Sequence, residues 1–270
     1  MVVKLIASDL DGTLMAPDHM TVTERTKKAL SDAHKKGIKI AIATGRTLHF
    51  TDSVTAQIPF ADYVISSNGA AVYDRNANKY VYSTLVPNKV ALEAVEFLNR
   101  LPVHYHIYLG GRIYIQQSAM SYAADTGLPE DFLRDFISRV TVCDSLTEVI
   151  ADNGVEVVDV FSMGENENAI VEFFKERNLV MTSAVRGELA ATALGADKGT
   201  ALSGLCGVLG ITADEVMTFG DAENDCPMLE FAGLSFAMEN GNEICKSAAK
   251  AVAPSNAVDG VAQMIEKYAL

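Results

Sequence analysis

Short apolar runs, each closed by a knot of small and polar residues, alternate along the chain with stretches in which apolar positions recur every three or four residues. Residues 2–8 run into Asp9-Leu10-Asp11-Gly12-Thr13. Residues 38–43 stop at Thr44-Gly45-Arg46, residues 63–65 at Ser66-Ser67-Asn68-Gly69, and residues 216–219 at Gly220-Asp221-Ala222-Glu223-Asn224-Asp225. Short, predominantly apolar runs of this kind mark strands buried on both faces. Between them, Thr26, Ala29, Leu30 and Ala33 fall at helical spacing behind Thr21-Val22-Thr23-Glu24, which has the form of a capping box, and Gly37 closes that helix. A second helix opens at Lys198-Gly199-Thr200, carries Ala201, Leu202, Leu205, Val208 and Leu209, and ends at Gly210, ahead of another capping box at Thr212 to Glu215. Further strands over 234–238 and 251–253 and a helix over 258–268 close the chain. The alternation predicts an α/β fold, a Rossmann-like parallel sheet core with helices on both faces.

The middle of the chain has another texture. A hairpin is predicted over 70–85, then a helix over 88–100, and strands over 104–109 and 113–117 around Gly110-Gly111-Arg112. A helix over 131–140, a strand over 155–160, a helix over 166–177 and a strand over 179–183 follow, and none ends in a cluster like the first. Residues 84–186 are therefore expected to form an inserted α+β cap domain. Residues 1–83 and 187–270 would form a discontinuous core.

Composition narrows the function. The chain has 270 residues, with 22 Lys and Arg against 35 Asp and Glu, a formal charge of −13. Nucleic acid is excluded as a partner, because binding it needs a basic surface to displace counterions. A small anionic substrate would need locally placed cations. The four cysteines, Cys143, Cys206, Cys226 and Cys245, have neither disulfide-framework nor zinc spacing, and no run approaches the ~20 apolar residues of a membrane span. A cytoplasmic protein with no membrane association is expected, and no motif implies a protein partner.

The chemistry sits at the strand ends. On an extended chain Asp9 and Asp11 would point the same way, and two close carboxylates repel unless a cation or a shared proton lies between them. That pairing suggests a hard metal with oxygen ligands, most simply Mg²⁺. Thr44, Asp221, Asn224 and Asp225 stand at other strand ends, and in an open parallel sheet these ends line one crevice. Singly, each has a plainer role: Thr44 as a helix cap, Asp221 and Asp225 as first-turn acids, Asn68 as a turn residue and Arg46 as a solvated one. Lys198 is harder to dismiss, since a cation in a helix's first turn opposes the dipole and needs an anion unless it reaches solvent. Together, acids for a metal plus a hydroxyl and an amine for an anion fit phosphoryl transfer.

The ordered set Asp9-Leu-Asp-Gly-Thr-Leu14, Thr44-Gly-Arg46, Ser67-Asn-Gly-Ala70, Asp197-Lys-Gly-Thr200 and Gly220-Asp-x-x-Asn-Asp225 resembles the haloacid dehalogenase superfamily of phosphatases, in its Cof-like branch with an α/β cap. The resemblance implies that Asp9 is a nucleophile and Asp11 a general acid/base. It implies Mg²⁺ held by Asp9, the Asp11 backbone carbonyl and Asp221, and a phosphoryl group held by Thr44 and Lys198. Asn224 and Asp225 would orient the metal's waters or Lys198. Gly45, Arg46, Asn68 and Asn224 are further candidate contacts to a small phosphorylated metabolite, a sugar phosphate above all, with nucleotides and pyridoxal phosphate as competitors. The inserted domain would be a lid that selects the leaving group, with Arg112 in its hairpin a candidate contact. His104, His106 and Tyr108 share one face of its strand and are read as packing. A phosphosugar mutase and, from a different class, a phosphate-accepting regulatory module are the alternatives.

Overall fold

The computed structural model describes residues 2–118, 136–150, 154–183 and 187–270. Among them fourteen strands, numbered in chain order, form two sheets: β1 Leu5–Ser8, β2 Lys39–Ala43, β3 Tyr63–Ser66, β4 Ala71–Asp74, β5 Lys79–Ser83, β6 His104–Leu109, β7 Arg112–Gln116, β8 Thr141–Cys143, β9 Val155–Phe161, β10 Leu179–Thr182, β11 Glu188–Ala193, β12 Val216–Gly220, β13 Leu234–Met238 and β14 Ala251–Ala253. The first sheet has the order β14-β13-β12-β1-β2-β3-β4-β5. Its strands from β14 to β3 are parallel, and β4 and β5 add an antiparallel hairpin at one edge.

Alternation along the strands feeds two apolar layers. Leu5 and Ala7 of β1 pack with Ala201, Leu202, Leu205 and Met228 on one face. Ile6 packs with Leu30, Ile40, Ile42, Phe219, Phe236, Val261 and Ile265 on the other. Helices therefore cover both faces, as strands so largely apolar require. The first helix, Glu24–Lys35, is capped by Thr23, whose hydroxyl oxygen accepts from the Thr26 N–H. The capping box expected at Thr21 and Glu24 is absent because the Thr21 hydroxyl donates to Asp18, tying it into the preceding turn.

The chain divides into two compact units, one of residues 1–83 with 197–270 and one of residues 84–196. The second boundary lies ten residues beyond the expected 186. The reason is β11, which pairs antiparallel with β9 and β10 and so belongs to the second sheet. That sheet has the order β10-β11-β9-β6-β7-β8 and is antiparallel but for β7 with β8. The helices Asn88–Leu98 and Glu167–Glu176 are joined by Phe97 and Phe173, stacked 4.3 Å apart, and by Arg177, whose Nε donates to Glu93 at 2.9 Å. Of the helix expected over 131–140, residues 131–135 lie outside those described. Among the described residues no helix is long and apolar enough to cross a membrane.

Candidate active site

In the first sheet the strand order turns at β1: β2 and β3 lie to one side, β12 and β13 to the other. Such a reversal opens a crevice at the carboxyl ends of the strands flanking it. Asp9 follows β1 directly, and its N–H donates to Phe219 O of β12 at 3.0 Å. Asp221 follows β12. Register alone therefore brings together residues more than two hundred positions apart.

The cluster is made of Asp9, Asp221 and Asp225, which offer carboxylate oxygens within 4.8 Å of one another. Lys198 enters it from the first turn of the helix Lys198–Leu209. It is 0% exposed, and its Nζ donates to Asp9 Oδ1 at 2.7 Å and to Asp225 Oδ1 at 2.6 Å. The anion that a cation at a helix N-terminus needs is thus supplied twice. Asp225 is fully committed, for its Oδ2 accepts from the backbone N–H groups of Asp221 at 2.9 Å and Ala222 at 3.0 Å. Thr13 donates from Oγ1 to Asp221 Oδ1 at 2.7 Å.

Electrostatics follow from this crowding. Burial pushes the Asp9 carboxyl up to about 8, against the pull of Lys198 and with help from Asp225 and Asp221. Burial also raises Asp221. For Lys198 burial works against the ammonium, but Asp225 and Asp9 outweigh it and hold the amine charged. Three carboxylates face one ammonium, an excess of negative charge that a hard divalent cation would relieve. The donor set fits such an ion. Asp9 Oδ2 and Asp221 Oδ2 make no hydrogen bond among the described residues, whereas both oxygens of Asp225 are taken.

Asp11 does not join the carboxylates. Arg46 takes it through both oxygens, with Nε donating to Oδ2 at 2.9 Å and Nη2 to Oδ1 at 2.7 Å. Asp9 (φ −61°, ψ 164°) and Asp11 (φ −76°, ψ 120°) both keep extended backbone, yet their carboxylates part because Lys198 takes the first and Arg46 the second. From there the chain turns through Gly12 at φ +78°, where an added Cβ would lie 2.4 Å from Asp221 Oδ2. Glycine is required for the left-handed turn and for the approach of Asp221. Thr13 reaches across from this turn to Asp221.

The region from residue 6 to residue 265 matches the family of haloacid dehalogenase-like hydrolases. The chain belongs to that family. Among its relatives, the phosphatase YwpJ of Bacillus subtilis is 30% identical over 97% of this chain and 99% of its own length. The 5-amino-6-(5-phospho-D-ribitylamino)uracil phosphatase YcsE of the same organism is 28% identical over 99% of this chain and 96% of its own. A solved haloacid dehalogenase-like hydrolase from B. subtilis superposes with a TM-score of 0.80 at 28% identity, over 98% of this chain and all of the other. The chain is accordingly an enzyme, a phosphatase of the haloacid dehalogenase-like hydrolases.

In this family member Thr44 is buried at the end of β2, where its hydroxyl oxygen accepts from the Arg46 N–H at 3.2 Å. Asn224 donates from Nδ2 to Asn68 Oδ1 at 3.0 Å and makes no bond to Lys198. Gly45 faces the Asn68 amide. Arg112, at the start of β7 in the second unit, is exposed. The sequence reading missed Asn240, which donates from Nδ2 to Gly12 O at 2.7 Å and steadies the turn between Asp11 and Thr13. The signal lies in its position, since Asn240 closely follows the carboxyl end of β13.

Proposed function

We propose that this protein hydrolyses small phosphomonoesters, sugar phosphates foremost, in two displacements at Asp9 and with Mg²⁺ as its metal. The observation that carries the reading is a buried ammonium bonded to one oxygen of a buried carboxylate whose other oxygen has no hydrogen bond among the described residues. That oxygen is the nucleophile. In the first displacement it bonds to phosphorus and the ester P–O bond breaks, the leaving oxygen keeping the electron pair and taking a proton from Asp11. In the second, water bonds to phosphorus and gives its proton to Asp11, and the aspartyl P–O bond breaks, returning the pair to Asp9. Lys198 supplies positive charge to the phosphoryl oxygens, and Asp225 fixes Lys198 between two carboxylates. Thr44 offers a hydroxyl at the end of the neighbouring strand.

Asp9, Asp221 and the main-chain carbonyl of Asp11 would hold the Mg²⁺, which when bound neutralises charge between an anionic nucleophile and an anionic ester. Thr13 holds Asp221 in place for it. Residues 84–196 act as the domain that selects the leaving group. The relative that acts on a phosphoribityl compound supports a polyhydroxylated small phosphate as the substrate class. The free thiols of all four cysteines suit a reducing compartment, the cytoplasm.

The test is inorganic phosphate release from a panel of hexose and pentose phosphates, pyridoxal phosphate and nucleotides, with Mg²⁺ and with chelator, by wild type and Asp9→Asn. Metal-dependent release that the variant lacks, at an unchanged far-UV spectrum, is expected. Near-normal turnover by Asp9→Asn overturns the reading.

A further inference from the structure

Arg46 was expected to meet substrate, yet its guanidinium is committed to another side chain. Its two bonds to Asp11 match the planar fork to the two carboxylate oxygens, a geometry that a single ammonium cannot copy. One contact would leave the Asp11 carboxylate free to swing, whereas two points fix both of its side-chain torsions. The exposed His19 ring is also near it, with Nδ1 3.4 Å from Oδ1, and the Asp221 carboxylate is close enough to feel its charge.

The base of this clasp is itself held. The Arg46 N–H donates to Thr44 Oγ1 at 3.2 Å, the Arg46 carbonyl accepts from the Ser67 N–H at 2.9 Å, and the Thr44 carbonyl accepts from the Asn68 N–H at 3.1 Å. Ser67, Asn68 and Gly69 have φ of +53°, +54° and +94°, three successive left-handed residues. A left-handed residue with a Cβ costs about 1–2 kcal/mol, so Ser67 and Asn68 keep this conformation only because their surroundings enforce it. The Asn68 amide is held by Asn224, and Gly69 lies so close to the Asp197 carbonyl that an added Cβ would sit 2.2 Å from its oxygen. One strained turn thus supports Arg46 on one side and the start of the Lys198 helix on the other.

We infer that Arg46 is a positioning residue that holds the Asp11 carboxylate through both oxygens, with the turn at residues 67–69 as its rigid base, and that it is not a contact to substrate. The inference rests on the function proposed above and deepens it. Asp11 must give a proton to one oxygen and take it from another in successive displacements, and a misplacement of about 1 Å in such a group lowers the rate on the order of 10²-fold.

The test uses p-nitrophenyl phosphate with Mg²⁺ and compares wild type, Arg46→Met, Arg46→Lys, Asp11→Asn and the double variant Arg46→Met with Asp11→Asn, each checked for folding by thermal melting. Arg46→Met is expected to lower kcat about 10²-fold with KM within threefold of wild type. Arg46→Lys keeps the charge without the fork and should recover little of the loss. The double variant should be no slower than Asp11→Asn. A contact to substrate would instead raise KM with kcat kept, allow rescue by lysine, and multiply the two losses, and any of these overturns the inference. A slow Asp11→Asn beside a normal Arg46→Met overturns the inference alone. Asp11→Asn at the wild-type rate overturns the acid/base role itself.

Discussion

Replacing Lys198 by methionine removes a fully buried ammonium while keeping nearly the same volume, so any loss is electrostatic rather than a cavity effect. The ammonium lies 2.7 Å from Asp9 Oδ1 and 2.6 Å from Asp225 Oδ1, and both carboxylates are buried. Removing one partner of a buried ion pair costs about 3–5 kcal/mol, because the remaining charge is stranded. Asp225 keeps two backbone N–H donors and Asp9 can take up a proton, since burial places its carboxyl at about 8. The lower end of the range, about 3 kcal/mol, is therefore expected at pH 7, equivalent to a fall in Tm of roughly 6–12 °C for a unit of this size. The assay is thermal and urea unfolding in chelator, which keeps metal from masking the loss. The deficit should be smaller at pH 7 than at pH 9, because below about 8 the Asp9 carboxyl holds its proton with or without the ammonium, whereas above that value Lys198 lets wild type carry the ionised form and the variant cannot. A variant within about 0.5 kcal/mol of wild type would refute the reasoning, since the buried carboxylates would then not depend on Lys198.

Gly69→Ala places a Cβ 2.2 Å from the Asp197 carbonyl oxygen in a left-handed residue. A loss of about 2–4 kcal/mol in urea unfolding is expected, with a lower kcat as the Lys198 helix shifts; full stability would mean that the turn does not bear on that helix. Mg²⁺ affinity should depend on pH in one direction. The Asp9 carboxyl is raised to about 8 by burial and the Asp221 carboxyl is raised too, so protons and the cation compete for the same oxygens. Calorimetric titration should show affinity rising from pH 6 to about pH 8 and then levelling. A constant affinity over that range contradicts this account of the carboxylates.

Much of this was legible in the chain, for a specific reason. Strands buried on both faces must be apolar throughout, so β1, β2, β3 and β12 stand out, and whatever polar residues follow them lie at one edge of the sheet. Asp9, Thr44, Asp221 and Lys198 could be placed at that edge without knowing a single distance. The hairpins in the middle were visible through their turn residues. The second boundary was misplaced by ten residues because no strand was expected over 188–193, and only the pairing of β11 with β9 and β10 places those residues in the second sheet.

What the sequence determined by itself is the succession of strands in the first sheet and the edge of that sheet where the chemistry gathers, because periodicity and turn residues are local properties of the chain. What only the tertiary structure decided is which polar group answers which. Asp225 serves Lys198 and two backbone N–H groups, Thr13 serves Asp221, and Asp11 is held by Arg46 instead of standing beside Asp9. Those pairings depend on the left-handed turn at Gly12 and on three left-handed residues between β3 and β4. Side chains that meet across 27 to 208 positions do so only once the register of the parallel strands is fixed.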